Sequence, residues 1–275
     1  MIKLKSVAVI MSVYKNDKIE NLIEAITSIQ TQTYQYIDLY IGVDGPVPED
    51  TIVYLTGIND NKNTKVLFYK NNRGLATVLN ELIEYALHEK NYEYIARMDS
   101  DDISVKNRIQ KQVDFMNNNI FIDISSSGCR EFNDKGQTIC IKRLPLIDTE
   151  LKKNIIQRSP FVHPAVIFRS KVFNEGMRYP TDTHLSEDIL LWILLAKNKY
   201  VFGNLDEVLL DFRVNNDFYI RRKSIGKAWS EFQARIIAMK DLRQFTIKNF
   251  IYSVGYFFLR ISPVTISKIA YKYLR

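Results

Sequence analysis

Over its first hundred residues the chain alternates short apolar runs with amphipathic stretches, and this alternation constrains the fold more than any other feature. Val7–Ser12 is uncharged and rich in β-branched residues, and Asp17–Thr31 then sets Ile19, Leu22, Ile23, Ile26 and Ile29 at helical spacing. Ile37–Val43 is a second run, closed by Asp44-Gly45-Pro46, and Glu49–Leu55 reads as a short helix. Lys65–Tyr69 is a third, followed by Asn71-Asn72-Arg73-Gly74 and a helix carrying Leu75, Val78, Leu79, Leu82, Ile83 and Ala86. Tyr94–Met98 is a fourth and runs into Asp99-Ser100-Asp101-Asp102. Strands alternating with helices predict βαβ units, hence an α/β fold with a mostly parallel sheet. Ligands bind such sheets at the carboxyl ends of the strands. Ser12, Asp44, the 71–74 segment and the acidic 99–102 segment each follow a strand, so all four are expected along one edge.

Beyond Asp102, Val105–Met116 reads as helix, Ile122–Ser126 as strand and Asn133-Asp134-Lys135-Gly136 as a hairpin turn. Val162–Phe168 reads as a strand containing His163-Pro164, and Val208–Val214 as another. Ser186–Ala196 is a helix apolar almost all round, which predicts deep burial. The 275 residues suit one large α/β domain, residues 1–220, with a helical appendage, residues 221–275. A content of 46% hydrophobic and 12% aromatic residues excludes a disordered chain. Cys129 and Cys140 make neither a disulfide framework nor a four-ligand zinc site, which favours a reducing compartment. The run Val7–Met11 is followed by Tyr-Lys-Asn-Asp rather than by small residues, so it reads as a strand and not as a secretory signal. The greasiest stretch, Asn249–Leu259, has 11 residues, short of the roughly 17–25 a spanning helix needs. A cytoplasmic protein is the expectation.

The acidic segment carries the sharpest chemical signal. Three carboxylates in four residues repel one another unless a cation or several donors satisfy them. Oxygen-only ligation suits a hard divalent ion, Mg²⁺ or Mn²⁺, which bridges to phosphates. The alternative is a solvated turn in which Asp102 or Ser104 caps the following helix. No GxxxxGK[ST] or GxGxxG occurs, which removes the P-loop and dinucleotide folds.

Taken in order, SVAVIMSVY, VDGP, NNRGLATVLN and ARMDSDD resemble the first half of an inverting glycosyltransferase of family 2. The second half is similar as well: HPAVIFR from His163, Ser186-Glu187-Asp188 before ILLW, and Phe212-Arg213-Val214-Asn215-Asn216. The resemblance runs from about Val7 to Asn216 and implies the GT-A fold, nucleotide-sugar donors and a metal, Mn²⁺ or Mg²⁺. It implies that Ser12 and Tyr14 hold the uracil and ribose, that Asp44 accepts hydrogen bonds from the base, and that Arg73 belongs to the segment closing over the nucleotide. Asp99 and Asp101 match the DxD pair that contacts ribose and metal. Asp188 matches the catalytic base, placed in the first turn of a helix that Ser186 would cap. Arg213, His163 and Glu187 fall near the diphosphate or the acceptor. The implied reaction moves a hexose, galactose or glucose, from a UDP-sugar to a hydroxyl of a lipid-linked saccharide, forming a β-glycoside in O-antigen or capsule synthesis.

Charge separates the two parts of the chain. The whole carries +7, yet residues 221–275 hold 12 Lys/Arg against 2 Asp/Glu, leaving the first 220 slightly acidic. Ile225, Trp229, Phe232, Ile236 and Met239 form one helical stripe; Phe250, Ile251, Val254, Phe257, Phe258 and Ile261 lie in a second stretch, which Pro263 breaks before Val264–Leu274 resumes. Cations flanking apolar and aromatic residues suit the inner face of an anionic membrane, whereas a helical pair packed on the catalytic domain is the alternative. Rival functions are sugar-phosphate nucleotidyl transfer, which usually shows a Gly-rich segment after the first strand that SVYKND lacks, and a non-catalytic scaffold for membrane or nucleic acid. No nucleic-acid reader motif is present, so no nucleic-acid partner is expected.

Overall fold

The computed structural model describes residues 5–59, 63–181, 186–214 and 225–262. β1 (Val7–Val13) is the centre of a parallel set, flanked by β2 (Ile37–Val43) and β4 (Tyr94–Asp99), with β3 (Thr64–Phe68) outside β2. The crossovers are α1 (Ile19–Gln30), α2 (Glu49–Ile58) and α3 (Leu75–Glu89). A strand covered on both faces needs apolar residues at every position. Val7, Val9, Met11 and Val13 accordingly join Leu22, Ala25, Ile26 and Ile29 of α1 on one side. Ala8 and Ile10 join Val78, Leu79 and Leu82 of α3 on the other. Gly42 lets α3 come close, since a Cβ there would meet Val78 Cγ1 at 2.5 Å.

The second half is mixed in direction. It comprises β5 (Ile103–Ser104), α4 (Arg108–Asn118), β6 (Ile124–Phe132), β7 (Thr138–Lys142), α5 (Asp148–Asn154), β8 (Ile167–Arg169), α6 (Lys171–Asn174), α7 (Glu187–Lys197) and β9 (Phe202–Arg213). The sheet order is β3-β2-β1-β4-β8-β6-β9-β5, with β7 hairpinned onto β6. β8 runs against both β4 and β6, so β6 and its partner β9 recover the direction of the first four strands. The hairpin turn is where the sequence reading places it: Asn133 Oδ1 accepts from the amides of Lys135 and Gln137, both at 3.0 Å, and Gly136 has φ of 75°.

Two expectations change here. His163-Pro164 lies not in a strand but in a single 3-10 turn, His163–Ala165, ahead of the three-residue β8. Proline has no N–H to give a ladder, but its fixed φ suits the start of a helical turn. Val105 opens no helix. Its amide bonds to Leu209 O at 3.1 Å beside the β5–β9 pairing, and α4 begins at Arg108.

The chain then forms α8 (Ile225–Asp241) and α9 (Ile247–Ile261). α8 packs on α7, as expected of the helical-pair alternative, but only the end of the stripe read from the sequence, Ile236 and Met239, turns inward. Its buried residues are Ala228, Ala234, Ala238 and Met239, whereas Ile225 and Trp229 are exposed. Small side chains let the two backbones approach. Trp229 and Phe232 instead stack together and meet Phe257 of α9. Among the described residues no helix is long and apolar enough to cross a membrane. Asn215-Asn216 and the expected Pro263 break with helix over Val264–Leu274 lie outside the described residues.

Candidate active site

The four strand-end segments do converge. Ser12 is in register with Gly42 and Asp99, and Asp44 bonds through its amide to Val13 O at 2.8 Å. The buried Asp44 carboxylate accepts from Arg73 N at 2.6 Å, Gly74 N at 3.0 Å and Asn72 Nδ2 at 3.0 Å. It thereby anchors the loop that enters α3, where N–H groups point out of a helix start. Three of about four carboxylate acceptor positions are used, which leaves about one for a ligand. Gly45 is required beside it: φ is 83° and a Cβ would lie 2.6 Å from Asn72 N. The Arg73 side chain is exposed, lies 4.5 Å over the Tyr69 ring and pairs with Glu81.

Asp17, which carries no signal in the sequence, joins the first loop to the acidic turn. Its Oδ2 accepts from Tyr14 N at 2.8 Å and from Ser100 Oγ at 2.6 Å. Tyr14 is thus fixed through its backbone, while its ring lies under the Lys15 ammonium. Ser28 of α1 and Gln32, just past its end, hold the exit of the turn. Ser28 Oγ accepts from Ser104 N at 3.0 Å, and Gln32 donates to Ser104 Oγ and Val105 O while accepting from Ile109 N.

The carboxylates of Asp99, Asp101 and Asp102 offer oxygens all within 4.8 Å of one another. Asp102 caps no helix, contrary to the alternative above. It is fully buried, with Oδ1 accepting from Arg213 N at 2.8 Å and Oδ2 left without a partner. Burial, then the charges of Asp101 and Asp99, hold its carboxyl well above the usual carboxylate range. An oxygen-only donor set with an orphaned buried oxygen fits a hard divalent cation, which would relieve that repulsion. Asp99 and Asp101 are the more accessible pair, with Asp102 behind them.

Two buried arginines sit beneath the cluster. Arg97 Nη1 donates to Asp99 Oδ2 at 3.1 Å and Nη2 pairs with Oδ1, while its Nε has no partner. Arg108 donates to Arg97 O at 3.3 Å and to Pro164 O at 2.7 Å, and Gln112, one turn on, donates to Ala165 O at 2.7 Å. α4 thereby fastens the end of β4 to the His163 turn. Burial lowers the Arg108 pKa to about 10, against the nearby Asp102 charge. Arg213 is committed to the turn: its Nε donates to Asp101 O at 2.9 Å, its guanidinium pairs with Glu24 and lies 4.7 Å over the Phe132 ring.

His163 lies between these charges and α7. Its Nε2 is 3.0 Å from the Tyr179 hydroxyl, and its ring packs edge-on against Trp192. Burial, then the Arg97 charge, push its pKa well below 6.5, so the imidazole is neutral at pH 7. Asn80 of α3 clamps Tyr179 by reciprocal 2.8 Å bonds to its backbone. Burial raises the Tyr179 hydroxyl; Arg97 opposes this, and Asp188, Glu187 and Asp99 add to it. The two candidate centres, the acidic turn and the start of α7, therefore meet electrostatically at Tyr179. Glu187 is raised by burial and then by Asp188. Ser186 stands at the N-cap of α7, but its hydroxyl makes no capping bond and receives one from Ser230 at 3.0 Å.

The profile of Glycosyl transferase family 2 matches residues 8–176. The chain belongs to glycosyl transferase family 2. Among its relatives, the amylovoran biosynthesis glycosyltransferase AmsE of Erwinia amylovora is 27% identical over 266 residues, covering 96% of this chain and 97% of that protein. The UDP-Gal:alpha-D-GlcNAc-diphosphoundecaprenol beta-1,3-galactosyltransferase of Escherichia coli is 32% identical over 231 residues, covering 83% and 81%. In structure, the mannosyltransferase PcManGT of Pyrobaculum calidifontis, solved with GDP-Man and Mn²⁺, gives a TM-score of 0.62 at 14% identity, covering 98% of this chain and 76% of that one. The fold is GT-A.

Proposed function

We propose that this family 2 chain transfers a hexose, galactose or glucose, from a UDP-sugar to a hydroxyl of a lipid-linked saccharide in the assembly of a bacterial surface polysaccharide. The observation that carries the reading is the oxygen cluster of Asp99, Asp101 and Asp102 on the same sheet edge as Asp44 and the Arg73 loop. One relative, named for amylovoran biosynthesis, supports the polysaccharide setting, and another, named for a galactosyl transfer onto GlcNAc-diphosphoundecaprenol, supports the acceptor class.

In this reading Ser12, Tyr14 and Asp44 receive the nucleoside, and Arg73 and Arg213 stand at the diphosphate end. Asp99 and Asp101 would hold a divalent cation, Mn²⁺ or Mg²⁺, which supplies positive charge to the diphosphate when bound. Asp188 takes the proton of the acceptor hydroxyl while that oxygen forms its bond to the anomeric carbon. The bond to the diphosphate breaks from the opposite face, so an α-linked donor gives a β-glycoside. His163, neutral and bonded to Tyr179, positions rather than transfers a proton. Glu187 supports the acceptor side.

A donor screen by thermal shift tests this, with UDP-, GDP- and CMP-sugars, each with and without Mn²⁺. A ligand at about 100 times its dissociation constant stabilises by roughly 2.7 kcal/mol. We expect a Mn²⁺-dependent shift with UDP-galactose or UDP-glucose. A shift with GDP-sugars alone overturns the donor, and none with any sugar on folded protein overturns the reading.

A further inference from the structure

α9 is amphipathic in the reverse of the usual sense. Its polar side faces the protein. Buried Asn249 accepts from Gln157 Nε2 at 3.0 Å and donates to Gln244 O at 2.9 Å, and buried Ser253 donates to Asn249 O. Tyr252 donates to Gln157 O at 2.8 Å, Arg260 pairs with Glu231 through two nitrogens, and the Arg235 guanidinium lies 4.0 Å over the Tyr256 ring. The apolar side faces outward: Ile247, Ile251 and Phe258 are 80%, 64% and 60% exposed. Phe250 and Ile261 are exposed with them, as is Phe245 in the preceding turn. Ile247, Ile251, Val254, Phe258 and Ile261 recur at alternating steps of four and three, which makes one continuous stripe. A soluble surface rarely presents such a row unless something covers it.

Charge identifies the cover. α9 contains no acidic residue. The two acids of α8 are committed, Glu231 to Arg235 and Arg260, and Asp241 to Lys197. Lys240, Arg243 and Lys248 are exposed around the α8–α9 turn, and no carboxylate among the described residues pairs with them. Residues 263–275 add three Lys/Arg and no acid. A second copy docking by a twofold contact would set these cations against themselves. An anionic bilayer neutralises them.

We propose that α9 is the membrane-docking face of the protein. Ile247, Phe250, Ile251, Phe258 and Ile261 enter the acyl boundary of an anionic bilayer, with Lys240, Arg243 and Lys248 among the headgroups. This deepens the reading above, on which it rests for its purpose: a lipid-linked acceptor is presented at that surface.

The test is co-sedimentation of the full chain, without substrates, with vesicles of phosphatidylcholine alone or mixed with phosphatidylglycerol. The protein should pellet with the mixed vesicles and stay in solution with phosphatidylcholine. The pair Ile251→Glu and Phe258→Glu should weaken binding by more than about tenfold, since each large apolar side chain withheld from the acyl region is worth about a factor of ten. The triple change Lys240→Glu, Arg243→Glu and Lys248→Glu should abolish the preference for phosphatidylglycerol. Both variants should keep the parent's unfolding temperature and its donor-induced shift. A parent chain that stays in solution, or a double variant that pellets like it, overturns the proposal. So does a parent dimer, seen by sedimentation velocity, that the double variant turns into monomer without any vesicle binding. A donor shift that persists while vesicle binding fails leaves the transferase reading standing and removes only the docking face.

Discussion

The charges of the acidic turn after β4 and of the first turn of α7 both act on the Tyr179 hydroxyl, yet the two segments are held by different means. The acidic turn is fixed from several sides: Ser100 by Asp17, Asp99 by Arg97, Asp102 and Asp101 by Arg213, Ser104 by Ser28. At the start of α7, among the described residues, Ser186 is tied to Ser230 and no other side chain hydrogen-bonds Glu187 or Asp188. The difference suits the two kinds of work proposed for them. Charge stabilisation needs groups that do not reorganise during reaction. A general base needs lone pairs that remain open to a proton, and one already committed to donors is a weaker base.

The sharpest way to break this comparison is to remove the proposed base, Asp188, and nothing else. Asp188→Asn should lower turnover by about 10²–10⁴-fold, the usual worth of a general base, while the donor-induced thermal shift stays as in the parent. Steady-state kinetics beside the shift assay checks both halves. Turnover within a few-fold of the parent would move the base elsewhere, with Glu187 the first candidate.

At the other end the expected effect is smaller and falls on a different constant. Asp17→Ala removes two hydrogen bonds, to Tyr14 N and Ser100 Oγ, without touching a residue assigned to the chemistry. At about 0.5–1.5 kcal/mol each, their loss should raise the donor KM roughly fivefold to a hundredfold. kcat should change much less, because the acceptor side is unaltered. A fall in kcat with an unchanged KM would mean that Asp17 serves the transition state rather than donor binding, so that the rigidity of the acidic turn and not its affinity carries the contrast.

How much of this was readable follows the range of the interactions. The strand ends were legible because a buried parallel strand leaves an uninterrupted apolar run, and the residue after it is where the chain meets solvent. Asp17, Gln32, Asn80 and Tyr179 were not, because each joins a segment distant in sequence, and no local periodicity records that. Arg97 did leave a trace: a cation inside the apolar strand Tyr94–Met98 must be paired, and Asp99, two residues on, shares its face. Arg108 and Gln112 left a similar one, polar residues one turn apart on the buried face of α4. The α8 stripe misled in its first half, because α8 packs through Ala228, Ala234 and Ala238 and leaves Ile225 and Trp229 exposed, while Met239 at the end of the stripe is buried as expected.

His163 lies between the two ends and reports whether one charge spans both. In the native state burial and the Arg97 guanidinium disfavour its imidazolium, and the groups facing it are Tyr179, Trp192 and Arg97. In the unfolded chain it titrates near 6.5. Below that pH the unfolded state binds a proton that the native state refuses. Stability is therefore full above about pH 6.5 and declines as pH falls toward the native value, by at most about 1.4 kcal/mol per unit. His163→Gln keeps a partner for the Tyr179 hydroxyl and cannot titrate, so every other ionisable group is common to both chains. Thermal unfolding at pH 7.5 and 5.5 should show the parent losing about 2–4 °C more than the variant. Parallel losses would mean that His163 takes up its proton as readily in the native protein as in the unfolded chain, that Arg97 acts on the acidic turn alone, and that the two ends of the site are electrically separate.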